Sequence, residues 1–195
     1  MSKREITPAD ILPMDVYGRE RAQRRKAVVD VKRRRRLSVG PYATFLFENY
    51  DTMWMQVHEM LYIEKGGEEQ VADELHAYNP LIPQGRELIA TVLFEIDDEA
   101  RRRTILARLG GVEHTLWIEV GPHKIMGVPA DDAERTNEAG KASSVQFVHF
   151  RFTDEQIALF RTPGARILVG SDHENYQHMT VLPEATRAEL AQDFA

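Results

Sequence analysis

Five of the twelve residues from Glu48 to Glu59 could act together: the carboxylates of Glu48 and Glu59, the amides of Asn49 and Gln56, and the hydroxyl of Thr52. Thr52, Gln56 and Glu59 are spaced by four and three, so on a helix they share one face. Their oxygens are hard donors, suited to a small polar ligand or an ion. His58 directly precedes Glu59, and neighbours on a helix point about 100° apart. The pair therefore does not form the Glu-x-x-His unit of di-iron bundles. Just upstream stand Arg33, Arg34, Arg35 and Arg36, whose guanidinium forks fit carboxylate or phosphate oxygens. Two readings follow: the arginines pair with Glu48 and Glu59 in a structural network, or they receive an anion. A third group lies at Ser171-Asp172-His173-Glu174-Asn175-Tyr176-Gln177-His178. His173 and His178, with Asp172 and Glu174, are residue types that could hold a metal. Contiguous Ser171, Asp172 and His173 cannot reach triad geometry among themselves. A turn followed by a strand with Tyr176 and His178 on one face accounts for the same residues. His76, His114, His123 and His149 fit no ligand spacing, and Gly66-Gly67 lacks the strand, Lys and Ser/Thr context of a phosphate loop.

These groups need elements to position them. Thr7-Pro8-Ala9-Asp10 reads as a capped short turn, and Pro13 opens a helix over about 14–36. That helix has few large apolar residues, so its first half is expected to be exposed or docked on a partner. A strand over 43–49 precedes a helix over 51–64 that carries Met53, Trp54, Met55, Val57, Met60 and Leu61 around the polar stripe. A stripe of that kind on a buried helix needs partners. A further helix over 68–78 stops at Asn79-Pro80. The run 87–96 is rich in β-branched and aliphatic residues and reads as a buried strand, and a short helix with acids at its start follows. Gly121-Pro122 divides a hairpin at 115–120 and 123–128. Residues 129–144 are polar and read as a loop, and 145–152 alternates as a strand. Thr153 and Gln156 stand at capping-box spacing before a short helix to Arg161. A strand at 165–170, a loop at 171–175, a strand at 176–182 and a final helix opened by Pro183-Glu184 complete the chain.

At 195 residues, the chain is long enough for one domain with a substantial core. The expected architecture is a single α+β domain, mainly antiparallel sheet flanked by helices, with residues 1–36 as a long basic helical arm and 37–195 as the body. No apolar run approaches the length of a membrane span, and the N-terminus lacks the apolar stretch of a signal peptide, which points to the cytoplasm. With no cysteine, disulfides and thiolate chemistry are excluded, so any metal ion would rest on His and carboxylate. Net charge is −6, but residues 1–36 hold 12 Lys/Arg against 5 Asp/Glu while the remainder holds 13 against 26. The basic arm is thus expected to meet acid in its own body, in a sister subunit of a homodimer, or in nucleic acid. An acidic chain argues against the last.

The series Phe47-Glu48-Asn49, Thr52, Gln56 and Glu59-Met60, then Glu74-Leu75, Tyr78-Asn79 and Leu81-Ile82-Pro83, resembles a bacterial family known as domain of unknown function 3501 (DUF3501). Arg35-Arg36, Phe150-Arg151-Phe152, Asp172-His173, Tyr176 and His178 add to the resemblance. It covers the whole chain and carries no catalytic assignment. It implies a link to redox or oxidative-stress metabolism, since members lie near rubrerythrin-like and iron–sulfur oxidoreductase genes. The leading expectation is a non-enzymatic binding or accessory protein without cofactor, using Arg33, Arg35, Arg36, Glu48, Asn49, Thr52, Gln56 and Glu59 for an anionic small molecule or acidic partner. The alternatives are a metal-dependent enzyme built on Glu48, Glu59, His173 and His178, and a nucleic-acid binder working through the arginine run.

Overall fold

The structure is a computed structural model that describes residues 3–130 and 141–195. Residues 3–13 run as an extended strap interrupted by a single 3-10 turn, Pro8–Asp10. Pro13, with φ of −53°, then starts helix α1, Met14–Arg34. The chain turns into β1, Arg36–Val39, which pairs antiparallel with β2, Ala43–Phe47, through Leu37↔Phe45. Gly40 in the connecting turn has φ of +67°, a conformation that disfavours any side chain.

Asn49 caps α2, Tyr50–Glu64: its Oδ1 accepts the Thr52 N–H at 3.0 Å, and Thr52 Oγ1 accepts the Asn49 N–H at 3.0 Å. This reciprocal bond fixes where α2 begins relative to β2. Lys65, left-handed at φ 57°, ends α2 and leads through Gly66 into α3, Gly67–Tyr78. Then come β3 (Glu87–Phe94), α4 (Glu99–Leu106), β4 (Leu116–Val120), β5 (His123–Met126), β6 (Val128–Pro129), β7 (Val145–Arg151), α5 (Asp154–Arg161), β8 (Ile167–His173), β9 (Tyr176–Val181) and α6 (Glu184–Leu190).

Among the described residues there are thus six α-helices and two antiparallel sheets, of order β1-β2-β3-β7-β6 and β5-β4-β8-β9. The expected α+β class with mainly antiparallel sheet is what the chain adopts. The expected loop at 171–175 is shorter than the sequence suggested: Ser171, Asp172 and His173 complete β8, and Glu174-Asn175 make the turn to β9. Ser171 and His173 face inward and are buried, so the alternation continues through polar residues whose hydrogen bonds are met inside. The polar loop expected at 129–144 falls largely on 131–140, outside the described residues.

Strand alternation divides the interior in two. Phe45, Phe47, Leu88, Val92, Val148 and Phe150 point between the sheets, meeting Ile118 and Val169 from the other side in one continuous core. Burying each aromatic there contributes roughly 1.5–3 kcal/mol. A second core lies on the outer face of the first sheet, where Ile89 and Phe147 meet Met53, Val57 and Leu61 of α2, Leu75 of α3 and Ile6 of the strap. The helix α1 packs along α2, burying Tyr17 completely. Its first half is therefore docked within its own chain.

Candidate functional site

The polar stripe of α2 is split among three separate sets of partners. At its first turn the Glu48 side chain is buried, 3% exposed. Its Oε2 lies 2.5 Å from Thr52 Oγ1 and its Oε1 accepts the Thr91 hydroxyl at 2.5 Å. Burial pushes the Glu48 carboxyl upward, against the two hydroxyl bonds, which pull it down. Thr52 has one hydroxyl hydrogen and two acceptors within reach, Glu48 Oε2 and the Asn49 carbonyl at 3.1 Å.

Arg35 lies behind this knot and is 1% exposed. Its guanidinium donates to the Phe47 carbonyl at 2.9 Å and the Glu48 carbonyl at 3.1 Å, and it pairs with Asp193, with Glu189 at 3.5 Å. Arg35 thus touches the backbone of Glu48 but not its carboxylate. Burial raises the Asp193 carboxyl, with Arg35 acting in the opposite sense. The other arginines of the run also face acids: Arg33 pairs with Asp30 at 3.0 Å, Arg34 with Glu189 at 3.1 Å and Arg36 with Glu95 at 2.5 Å.

Two turns along α2, Glu59 accepts a two-pronged bond from Arg21 of α1, at 2.8 Å on each oxygen, and a third from the Tyr17 hydroxyl at 2.6 Å. The Arg21 guanidinium holds the Glu59 carboxyl down to about 2. Burial, reinforced by Glu59, pushes the Tyr17 hydroxyl well above its ordinary value. Gln56, between the two knots, lies beside the Tyr78 side chain of α3 and favours its ionised form. The expected pairing of Glu48 and Glu59 with residues 33–36 is therefore corrected. Glu59 belongs to Arg21, and Glu48 is satisfied by threonines.

His173 and His178 do not assemble a metal centre with these carboxylates. His173 is buried, with Nε2 3.2 Å from the Gly110 carbonyl and Nδ1 accepting the Asn175 N–H at 3.2 Å. His178 is exposed on β9, its ring packed edge-on against Tyr176 at 4.6 Å between centroids. No group of three or more His, Asp or Glu residues that could hold a metal occurs among the described residues.

What remains open is apolar. A cleft of about 840 Å³ lies between the strap and the α2–α3 corner. Ile11, Leu12 and Met14 form one wall, and Leu61 and Val71 the other. Lys65 and Glu68 are the charged residues of its lining, and both are exposed. Tyr62 also lines it. The volume lies within the usual range for small-molecule sites, about 300–1,000 Å³.

The strap is pinned at several points. Asn79 exchanges two bonds with the backbone of Ile6, at 2.8 and 2.9 Å. The Trp54 indole donates to the Asp10 carbonyl at 2.9 Å, and the Leu12 N–H donates to His58 Nε2 at 3.0 Å. Sequence reasoning missed this cleft and the residues Tyr17, Arg21, Thr91 and Asp193. For Tyr17 and Arg21 a signal existed: with Arg24, Val28 and Val31 they recur at helical spacing along one side of α1.

Fold and site together define an α+β protein in which a polar helix is locked into two closed networks beside an open apolar cleft. The chain matches the family described as Protein of unknown function (DUF3501) over residues 5–194 and belongs to it. It is similar to a novel protein of unknown function from Burkholderia pseudomallei K96243, whose crystal structure was determined at 1.90 Å resolution. The two share 35% identity with a TM-score of 0.90, over 97% of this chain and 99% of that one. No curated protein matches the chain. No helix among the described residues is long and apolar enough to cross a membrane.

Proposed function

We propose that the protein is a non-enzymatic binding or accessory protein whose ligand is an anionic small molecule with an apolar body, held in the cleft between strap and α2–α3 corner. The observation that carries this reading is the contrast between the two regions. The carboxylates of the stripe and all four arginines are already paired within the chain, whereas the cleft is open and apolar, with Lys65 free to meet a carboxylate. Lys65 stands at the end of α2 and Glu68 on the first turn of α3, each where the helix dipole favours its sign. The anion takes Lys65 and is opposed by Glu68. The redox or oxidative-stress link that the family resemblance implies fits such a role as delivery or sequestration of the ligand.

Thermal-shift measurements with paired medium-chain acids and the corresponding alcohols test the reading. The acids raise the melting temperature, Lys65→Ala removes the rise, and Glu68→Gln increases it. Equal shifts from acid and alcohol, or none from either, refute it.

A further inference from the structure

We propose that the strap is an acid-labile wall of the cleft: protonation of His58 unhooks Leu12 and lets the segment Ile11-Leu12-Pro13 swing away. The geometry at His58 permits one arrangement of its protons. Nδ1 lies 2.8 Å from the Trp54 carbonyl, which can only accept, and Nε2 lies 3.0 Å from the Leu12 N–H, which can only donate. The ring must therefore be neutral with its hydrogen on Nδ1. A second proton, on Nε2, would set N–H against N–H at that distance and break the hook. Leu12 is itself a lining residue of the cleft, with Ile11 and Pro13 on either side.

Nothing around the ring rescues the cation. His58 is fully buried, stacked on Trp54 at 3.7 Å between centroids and tilted against Tyr17 at 5.0 Å. From α1 it faces Arg24, which rests over the Trp54 ring at 4.9 Å, and Arg21, which is committed to Glu59. The carboxylate of the strap, Asp10, is held by Lys3 and Thr7. On its own helix, Glu59 is taken by Arg21 and Tyr17. No carboxylate bonds the imidazole. Burial and then Arg24 lower its affinity for a proton, against the Trp54 carbonyl bond, which raises it. The closed strap thus favours neutral His58, and closure weakens as pH falls below the ordinary histidine value of 6.5. Between 6.5 and the lower value that holds in the closed state, each pH unit shifts the balance toward the open strap by about tenfold; below that value both states carry the proton and the shift levels off.

A ligand-release role for this switch rests on the cleft being the binding site, but the switch itself is tested on the ligand-free protein. NMR titration of the His58 ring is followed alongside the exchange protection of two strap amides, Leu12 and Ile6. Ile6 is bonded to Asn79 Oδ1, which does not titrate. The expected result is a His58 midpoint below 6.5 and a Leu12 protection factor that falls by about tenfold per unit between 6.5 and that midpoint and levels off below it, while Ile6 stays protected. His58→Gln supplies an acceptor without a proton to gain, and Leu12 protection then becomes independent of pH. Leu12 protection unchanged through the titration, or lost together with Ile6, overturns the proposal, as does the wild-type pH dependence persisting in His58→Gln. Because Leu12 and Ile6 are compared within the wild-type protein, the test survives if the variant does not fold.

Discussion

Replacing Arg35 with alanine separates a structural arginine from a ligand-binding one. Arg35 is buried and serves four acceptors: the carbonyls of Phe47 and Glu48, and the carboxylates of Asp193 and Glu189. Arg35→Ala leaves Asp193, 10% exposed in its side chain, without its counterion. Breaking a buried pair from one side costs about 3–5 kcal/mol, because the surviving charge stays desolvated. The two orphaned carbonyls add about 1 kcal/mol or more. Against a total stability of about 5–15 kcal/mol, the variant is marginal. Urea unfolding followed by circular dichroism at neutral pH measures the loss. Adding Asp193→Asn recovers at least about 1 kcal/mol by neutralising the stranded acid. Arg33→Ala, at a residue with 76% of its side chain exposed, changes stability by no more than about 0.5 kcal/mol. The reasoning is refuted if Arg35→Ala costs less than about 1 kcal/mol, or if the double variant is no more stable than the single one.

Glu48, just before α2, and Glu59, on it, respond to pH in opposite senses. Glu59 is held at about 2 rather than 4.5, so its pairing stabilises the fold above pH 4.5 and is lost as pH falls from there through 2. Glu59→Gln therefore costs about 2–3 kcal/mol at pH 7 and progressively less in acid, read from urea midpoints; an equal cost at both ends contradicts the assignment. Glu48 is shifted upward, so its contribution is complete below 4.5 and declines as pH rises through its folded value. In Glu48→Gln the amide donates to Thr52 Oγ1 and accepts from Thr91, so stability stays within about 1 kcal/mol of wild type near pH 4.5 and gains on it as pH rises. Parallel stability–pH curves for variant and wild type would falsify this.

Much of the fold was legible because local chemistry set it. The Thr7 cap of the first turn, the hairpin around Gly121 and the Thr153–Gln156 capping box all depend on residues within a few positions, and the structure contains each of them. The polar stripe at Thr52, Gln56 and Glu59 was legible as a stripe for the same reason. Its partners were not. Arg21 lies 38 residues before Glu59 and Asp193 lies 158 after Arg35, so both pairings depend on how helices cross and where the C-terminal segment docks. Proximity in sequence favoured the 33–36 run as the partner of both glutamates, but tertiary packing sent that run toward Asp30, Glu95, Glu189 and Asp193 instead. The cleft was invisible for a related reason: it is the space left where an extended strap crosses two helices.

The strand that begins as β5 and continues as β6 belongs to both sheets. Gly127 joins the two halves, donating to the Leu116 carbonyl at 2.8 Å, and a Cβ there would lie 2.4 Å from Val148 Cγ1. Since β5 is hydrogen-bonded to β4 and β6 to β7, the sheets are coupled through one uninterrupted backbone. The expected consequence is that the amides of the two sheets lose exchange protection together, as in one cooperative unit. Its pairings are correspondingly non-local, with Ile89 meeting His149 across 60 residues, a topology that slows folding.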